Sequence, residues 1–280
     1  MSIESKAMLI NLSISCWSGR KYDRKVSDEI AEEKSAEQSA GRYNKCIINR
    51  PVIAKIEKVA NKIRIFHYTN TLPWGNEGSR ILPSANYFDY TKRFRELKYE
   101  FENASNEFIN QYENEIIAAQ KTLGAMFKQE DYPTKSRIEG AFSVETSVYP
   151  IPIASDFRVA LGKEEEEKIK NDIENNIKNV INVATKDLWQ RLYDVVSKMH
   201  NKLKDKDSIF RDSLVENIGE LCQLLPKLNV TGDNELEKTR REIESTLLVK
   251  PESLRNNETL RETTAAIAEN LAAKMAGYIN

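Results

Sequence analysis

Two stretches of this chain repeat apolar residues every three or four positions over about forty residues each, and neither contains a proline. In the first, Tyr87, Tyr90, Phe94, Leu97, Phe101, Ala104, Phe108, Tyr112, Ile116, Ala119, Leu123 and Met126 recur between Asn86 and Pro133. Their steps alternate as in heptads up to Phe108 and then run four, four, three, which resembles a stutter that unwinds a supercoil locally. In the second, Ile169, Ile173, Ile177, Val180, Ala184, Leu188, Leu192, Val195, Met199 and Leu203 run from Lys163 to Lys204 at a looser spacing, nearer to eleven-residue repeats. A helix of roughly 40 residues is on the order of 60 Å long, more than a compact domain of this size buries along its whole length. Each stripe therefore needs a partner. The expectation is that they supply one another, as an antiparallel, coiled-coil-like helical hairpin over residues 86–128 and 163–205.

The remainder reads as a small α+β module and a set of C-terminal helices. Met8, Ile10, Leu12, Ile14 and Cys16 alternate with polar residues as a half-buried strand, ended by Ser18-Gly19. The charged residues 20–45 fit an exposed helix or a linker. A helix is expected from Arg50 to Phe66, with Pro51 in its first turn and Ile53, Ile56, Val59, Ala60 and Ile63 on one face. Leu72 to Gly78 is the clearest loop. Phe142, Val144, Thr146 and Val148 alternate as a second strand, and its best partner is Met8–Trp17. A Pro150-Ile151-Pro152 kink leads to Asp156 and Arg158, whose simplest role is a local ion pair or cap. Stripes ending at Pro226 and before Pro251, and an alanine-rich last helix, place helices over 206–280 as a bundle or against the rods. The expected fold class is mainly α, with the β-containing module drawn from 1–85 and 129–162.

Composition narrows the partners. Among 280 residues, Lys plus Arg is 42 against 43 for Asp plus Glu, a formal net charge of −1. That balance argues against a surface built throughout for phosphate backbones, while leaving room for a local patch. No segment approaches the roughly 18–20 apolar residues of a membrane span, and Asn11 and Ser13 interrupt the N-terminal apolar run too early for a secretory signal. Cys16, Cys46 and Cys222 form no CxxC pair, so neither a disulfide framework nor a zinc site is expected. The expectation is a reduced, cytoplasmic protein without metal or cofactor.

The catalytic inventory is thin. His67 and His200 are the only histidines and both fall in helical contexts, with no GxSxG or HExxH around them. A Cys–His pair formed only in the fold is the residual enzymatic reading. Gly162-Lys163 lacks the earlier glycine of a phosphate-binding loop. Glu164–Glu167 suits the positive end of a helix dipole better than a metal, because adjacent helical positions point apart. Two basic groups stand out. Arg93, Arg95 and Lys98 lie among aromatics on the first rod and would serve nucleic acid, but Asp89, Glu96 and Glu100 oppose them and the aromatics belong to the apolar stripe. Arg20, Lys21, Arg24 and Lys25 are more exposed and form a candidate partner-binding cluster. Trp74, on a Pro-Trp-Gly turn, either plugs a local core or anchors a partner.

The stretch Arg137-Ile138-Glu139-Gly140-Ala141-Phe142, with Tyr149-Pro150-Ile151-Pro152-Ile153-Ala154-Ser155-Asp156-Phe157-Arg158-Val159, resembles the signature of an uncharacterised family, domain of unknown function 3150. With the two rods the resemblance covers most of residues 1–205. It implies a phage or mobile-element protein working beside a MoxR-like AAA+ ATPase, and it transfers no catalytic residue. The function expected is therefore a non-enzymatic scaffold or interaction protein that forms homo-oligomers and serves such a partner. The alternative is a nucleic-acid accessory factor for single-stranded DNA in recombination or replication.

Overall fold

The computed structural model describes residues 3–75, 78–157, 159 and 162–279, and the expected role of Arg158 lies outside the described residues. In chain order come β1 (Ala7–Ser15), β2 (Arg20–Tyr22), α1 (Arg24–Glu33), β3 (Asn44–Cys46), α2 (Arg50–Thr69), β4 (Leu72–Pro73) and β5 (Arg80–Pro83). Then follow α3 (Tyr87–Leu123), α4 (Lys135–Glu139), β6 (Ser143–Tyr149), α5 (Lys163–Lys204), α6 (Ser213–Leu228), α7 (Asn234–Leu247), α8 (Pro251–Asn256) and α9 (Glu258–Ile279). The chain is mainly α-helical. Its strands form one small sheet of order β4-β5-β1-β6 and a separate β2-β3 pair. Strand β6 thus neighbours β1, as the two alternating stretches suggest.

The residues form two compact units that cut across the three segments expected from periodicity. The first comprises Met1–Asn11, Tyr68–Tyr90 and Ser147–Asn280; the second comprises Leu12–His67 and Thr91–Thr146.

In the first unit, α5 packs against α9 and α6, and α7 closes on α6 and α9. Val180, Ala184, Leu188, Leu192, Val196, Met199 and Leu203 of α5 join Ile218, Cys222 and Leu225 of α6, Ile243 of α7 and Ala268 and Met275 of α9 in one core. The stripe of α5 is therefore not the partner of the stripe of α3: the C-terminal helices cover it. The alanines of α9 explain the closeness, because small side chains let two helix axes approach. Trp189 stacks on Tyr278 of α9 with ring centroids 4.1 Å apart. Its indole N–H donates to Asp233 Oδ2 at 3.1 Å, while Asp233 Oδ1 caps α7 by accepting from the amides of Glu235 and Leu236. Pro226 was expected to stop α6 but lies inside it. A proline there deprives the carbonyl four residues back, that of Cys222, of its helical donor, and Arg240 Nη1 of α7 donates to it instead at 3.4 Å. On the sheet side, Ala7 to Ile10 of β1 pair antiparallel with Pro83 to Arg80 of β5. Strand β4 occupies ground expected to be loop, and β5 follows it; Leu72, Ile81 and Leu82 are fully buried.

In the second unit, α2 is the helix that runs with α3. Lys55 pairs with Glu107 at 3.6 Å and Lys62 with Glu100 at 2.7 Å, which sets the two helices antiparallel. Ile53, Ile56, Ala60 and Ile63 of α2 and Phe94, Leu97, Phe101, Phe108 and Tyr112 of α3 are buried. Trp17 stacks on Phe108 at 6.0 Å, and Phe142 meets the same ring edge-on at 5.7 Å. Gly19 turns the chain between β1 and β2 at φ +61°, and a Cβ there would stand 3.3 Å from Ile53 Cγ1. Residues 20–45 hold the exposed helix expected there, α1, but flank it with the strands β2 and β3, in which Arg20, Lys21 and Tyr22 pair with Cys46, Lys45 and Asn44.

Candidate functional site

The N-terminal basic cluster lies in the second unit, on β2 and the first turn of α1. Arg20, Lys21, Arg24 and Lys25 are all exposed. The sequence places acids one helical turn further on, and they answer two of these cations: Arg24 pairs with Asp28 at 3.6 Å and Lys25 with Glu29 at 3.7 Å. Arg24, Lys25, Asp28 and Glu32 line a surface cavity of about 570 Å³ whose inner wall is Lys45. This lysine was not singled out from the sequence, yet it is buried. Its ammonium lies 2.9 Å from Asp23 Oδ2 and 2.8 Å from Asp131 Oδ2, and donates to the Met126 carbonyl at 2.7 Å. Burial alone depresses an ammonium pKa, but the bonds to Asp131 and Asp23 outweigh it and hold Lys45 above its ordinary value. The bond from Lys45 likewise holds the Asp23 carboxyl below the usual carboxylate range, against the effect of burial. All three ammonium protons have partners, so Lys45 is a tie between β3, the N-cap of α1 and the segment after α3, with no proton left over for a ligand.

The basic group on α3 separates into two sets. Arg93 pairs with Glu96 and Lys98 with Glu102 on the same helix, and Glu100 is taken by Lys62. Arg95 is exposed and has no ion pair among the described residues, and the same holds for Lys92. Lys92, Arg95 and Tyr99 sit at i, i+3 and i+7 and so share one face of the helix. Tyr99 is 65% exposed there. The stripe aromatics Tyr90, Phe94 and Phe101 are buried and unavailable for stacking. The exposed aromatics of the helix, Tyr99 and Phe88, lie between stripe positions.

Trp74, in the first unit, is half-buried against the α5 core. The more open feature of that unit is the start of α5. Its first buried residue is Val180, so residues 163–179 hold none. Ile169, Ile173 and Ile177 make a partly buried stripe along this arm, about 25 Å long, with Ile177 packed against the core, and Glu164, Glu165 and Glu166 occupy its first turn. Lys168 pairs with Glu164 and Glu165 at 3.4 and 3.0 Å.

The histidines and cysteines have structural neighbours. His200 Nδ1 lies 3.0 Å from the Ala265 carbonyl of α9. Burial pushes the Cys222 thiol up to about 11, which keeps it protonated at neutral pH. Cys16 is half-buried, and burial raises its pKa as well. Cys46 is exposed on β3. Among the described residues no group of three His, Cys, Asp or Glu side chains is arranged to hold a metal ion, and no helix is long and apolar enough to cross a membrane. No protein-family model, no curated protein and no solved structure matches this chain.

Proposed function

We propose that this chain is a non-enzymatic interaction protein that self-associates and presents the arm of α5 to a partner. The observation that carries the reading is the division of α5. One half is a core helix, whereas residues 163–179 hold no fully buried side chain and carry an amphipathic stripe, Ile169, Ile173 and Ile177, that the chain covers only in part. A helical arm with three isoleucines one turn apart and an acidic tip suits a helix-in-groove contact, in which i, i+4 and i+8 side chains act as anchors. The partner class that the sequence resemblance implies is a MoxR-like AAA+ ATPase of a phage or mobile element, and the acidic tip would meet a basic rim on it. The test is co-expression with such an ATPase from the same source, followed by co-purification of wild type and of the Ile169→Asp/Ile173→Asp variant. Retention of the ATPase by wild type and its loss from the variant is expected. Equal retention by both, or none by either, overturns the reading.

A second reading, binding of single-stranded nucleic acid, is favoured by the uncompensated Lys92 and Arg95 beside exposed Tyr99. It requires anisotropy of a labelled oligonucleotide to rise on adding protein at about 50 mM salt, and to stay flat with Lys92→Glu/Arg95→Glu. The small number of free cations predicts a shallow salt dependence, with a log–log slope on the order of −1 to −2.

A further inference from the structure

Helices α5 and α6 of the first unit run antiparallel on either side of the Asp205–Asp212 loop, and a shallow trough lies between them. Two adjoining surface cavities, of about 410 and 930 Å³, occupy it and share Asp194, Val195 and Asn217 in their walls. The floor is apolar, with Val195, Leu214, Leu221 and Leu224 all partly or fully buried against the core. At the loop end stands Ile209, 92% exposed, the most exposed large apolar side chain among the described residues.

The rim is charged in a pattern. Toward the loop end lie Lys198 on α5 and Arg211 just before α6; farther from the loop lie Asp194 on α5 and Glu220 on α6. All four are exposed, and none has an ion pair among the described residues. Farther from the loop the charges are matched within the chain, Arg191 with Asp187 and Lys227 with Asp89. Of the exposed charges without an ion pair that line the two cavities, Lys198, Lys202 and Arg211 lie toward the loop end and Asp194 and Glu220 away from it, so the rim is polarised about the level of Val195.

We infer that this trough is a self-interface, with a second copy of the same chain as its occupant. An isologous contact brings residue i against j and j against i. A two-fold axis crossing both helices at the level of Val195 lays α5 antiparallel on α5 and α6 antiparallel on α6. It sets Asp194 against Lys198 of the second copy, and Glu220 against Arg211 of the second copy. The same axis seats Ile209 on Leu221 and Leu224 of the second copy, which covers this exposed isoleucine with the apolar floor. A two-fold axis along the helices would instead set Lys198 against Arg211 and Asp194 against Glu220, so the charges select the antiparallel arrangement. The inference rests on the reading of the chain as self-associating and names the surface responsible.

The test is molar mass in solution, by sedimentation, of the full chain and two charge-reversed variants. One is Lys198→Asp/Arg211→Glu, which makes the rim acidic; the other is Asp194→Lys/Glu220→Arg, which makes it basic. These are exposed positions, and circular dichroism checks that both variants are folded. Wild type is expected to be a dimer, each variant alone a monomer, and an equal mixture of the two a dimer again. Ile209→Asp is expected to raise the dimer dissociation constant at least about tenfold. If wild type is a dimer and both variants remain dimers alone, or the mixture stays monomeric, this surface is wrong while self-association stands. If wild type is monomeric at every concentration reached, self-association itself fails, and the surface with it.

Discussion

Lys45 shows how a single buried charge holds a region that has little apolar material. Around it, β2, α1 and β3 are short and bury few side chains: within α1 only Ala31 is buried, and within β3 only Lys45 itself. Removing the ammonium leaves the carboxyls of Asp23 and Asp131 facing one another without a counter-charge. Lys45→Met is expected to destabilise the second unit by about 3 kcal/mol, the low end for breaking a buried pair, because the site opens onto a surface cavity. Urea unfolding measures it. The sign of the pH dependence follows from Asp23. Its folded-state pKa lies below the ordinary value, so the stabilisation is complete above about pH 5 and is lost as pH falls through the folded pKa. Lys45 is shifted upward, so its contribution is complete below its unfolded pKa of about 10.4 and fails only in strong alkali. The gap in unfolding midpoint between wild type and Lys45→Met should be flat from neutral pH to about pH 5 and shrink toward pH 2. A gap that widens in acid would contradict the tie. Nothing in the sequence pointed to this residue, since a lysine in a charged run looks solvated until the fold encloses it.

At the scale of elements, the helix ends carry the next layer of stability. Arg191 of α5 reaches the C-terminal end of α2, donating from Nη1 to the Thr69 carbonyl at 2.7 Å and from Nη2 to those of Tyr68 and Thr71 at 3.1 and 2.8 Å. The Tyr68 and Thr69 carbonyls are among those a helix end leaves without internal donors, and the guanidinium also complements the negative end of the dipole. Arg80 donates to Thr71 as well, through Nε to the hydroxyl at 2.6 Å, and stacks on Tyr68 with its guanidinium 4.6 Å from the ring centroid. Arg191→Met is expected to cost about 1.5–3 kcal/mol in thermal or urea unfolding, and Arg191→Lys to recover less than half of it, because one ammonium does not reproduce the planar fork. Full recovery by lysine would show that charge alone matters there. The long helices were legible because periodicity over many turns leaves one interpretation: α2 and α5 begin at the residues expected, and α3 begins one residue later. The strands β2, β3, β4 and β5 were not, since runs of two to four residues are too short to establish a period of two. Pro226 misled for a different reason. The donor that replaces its lost hydrogen bond comes from Arg240, far along the chain.

On the scale of the whole molecule, an apolar stripe states that a face must be covered and leaves the cover unnamed. Periodicity made α3 and α5 look like each other's partners because they are the two longest stripes. The stripe of α2 and the alanine-rich α9 satisfied the same requirement, and the fold uses them. What periodicity hid is that α5 serves two purposes along its length, a core helix from Val180 onward and an arm before it. The candidate site was legible only in part, since the stripe over Ile169–Ile177 was visible while the incompleteness of its cover was not. Amide hydrogen exchange along α5 tests this division directly. Residues 180–203 should exchange only by global unfolding of the first unit, and residues 163–179 should exchange orders of magnitude faster. Uniform slow exchange from Lys163 to Lys204 in the isolated chain would show the arm already covered and contradict the interaction reading.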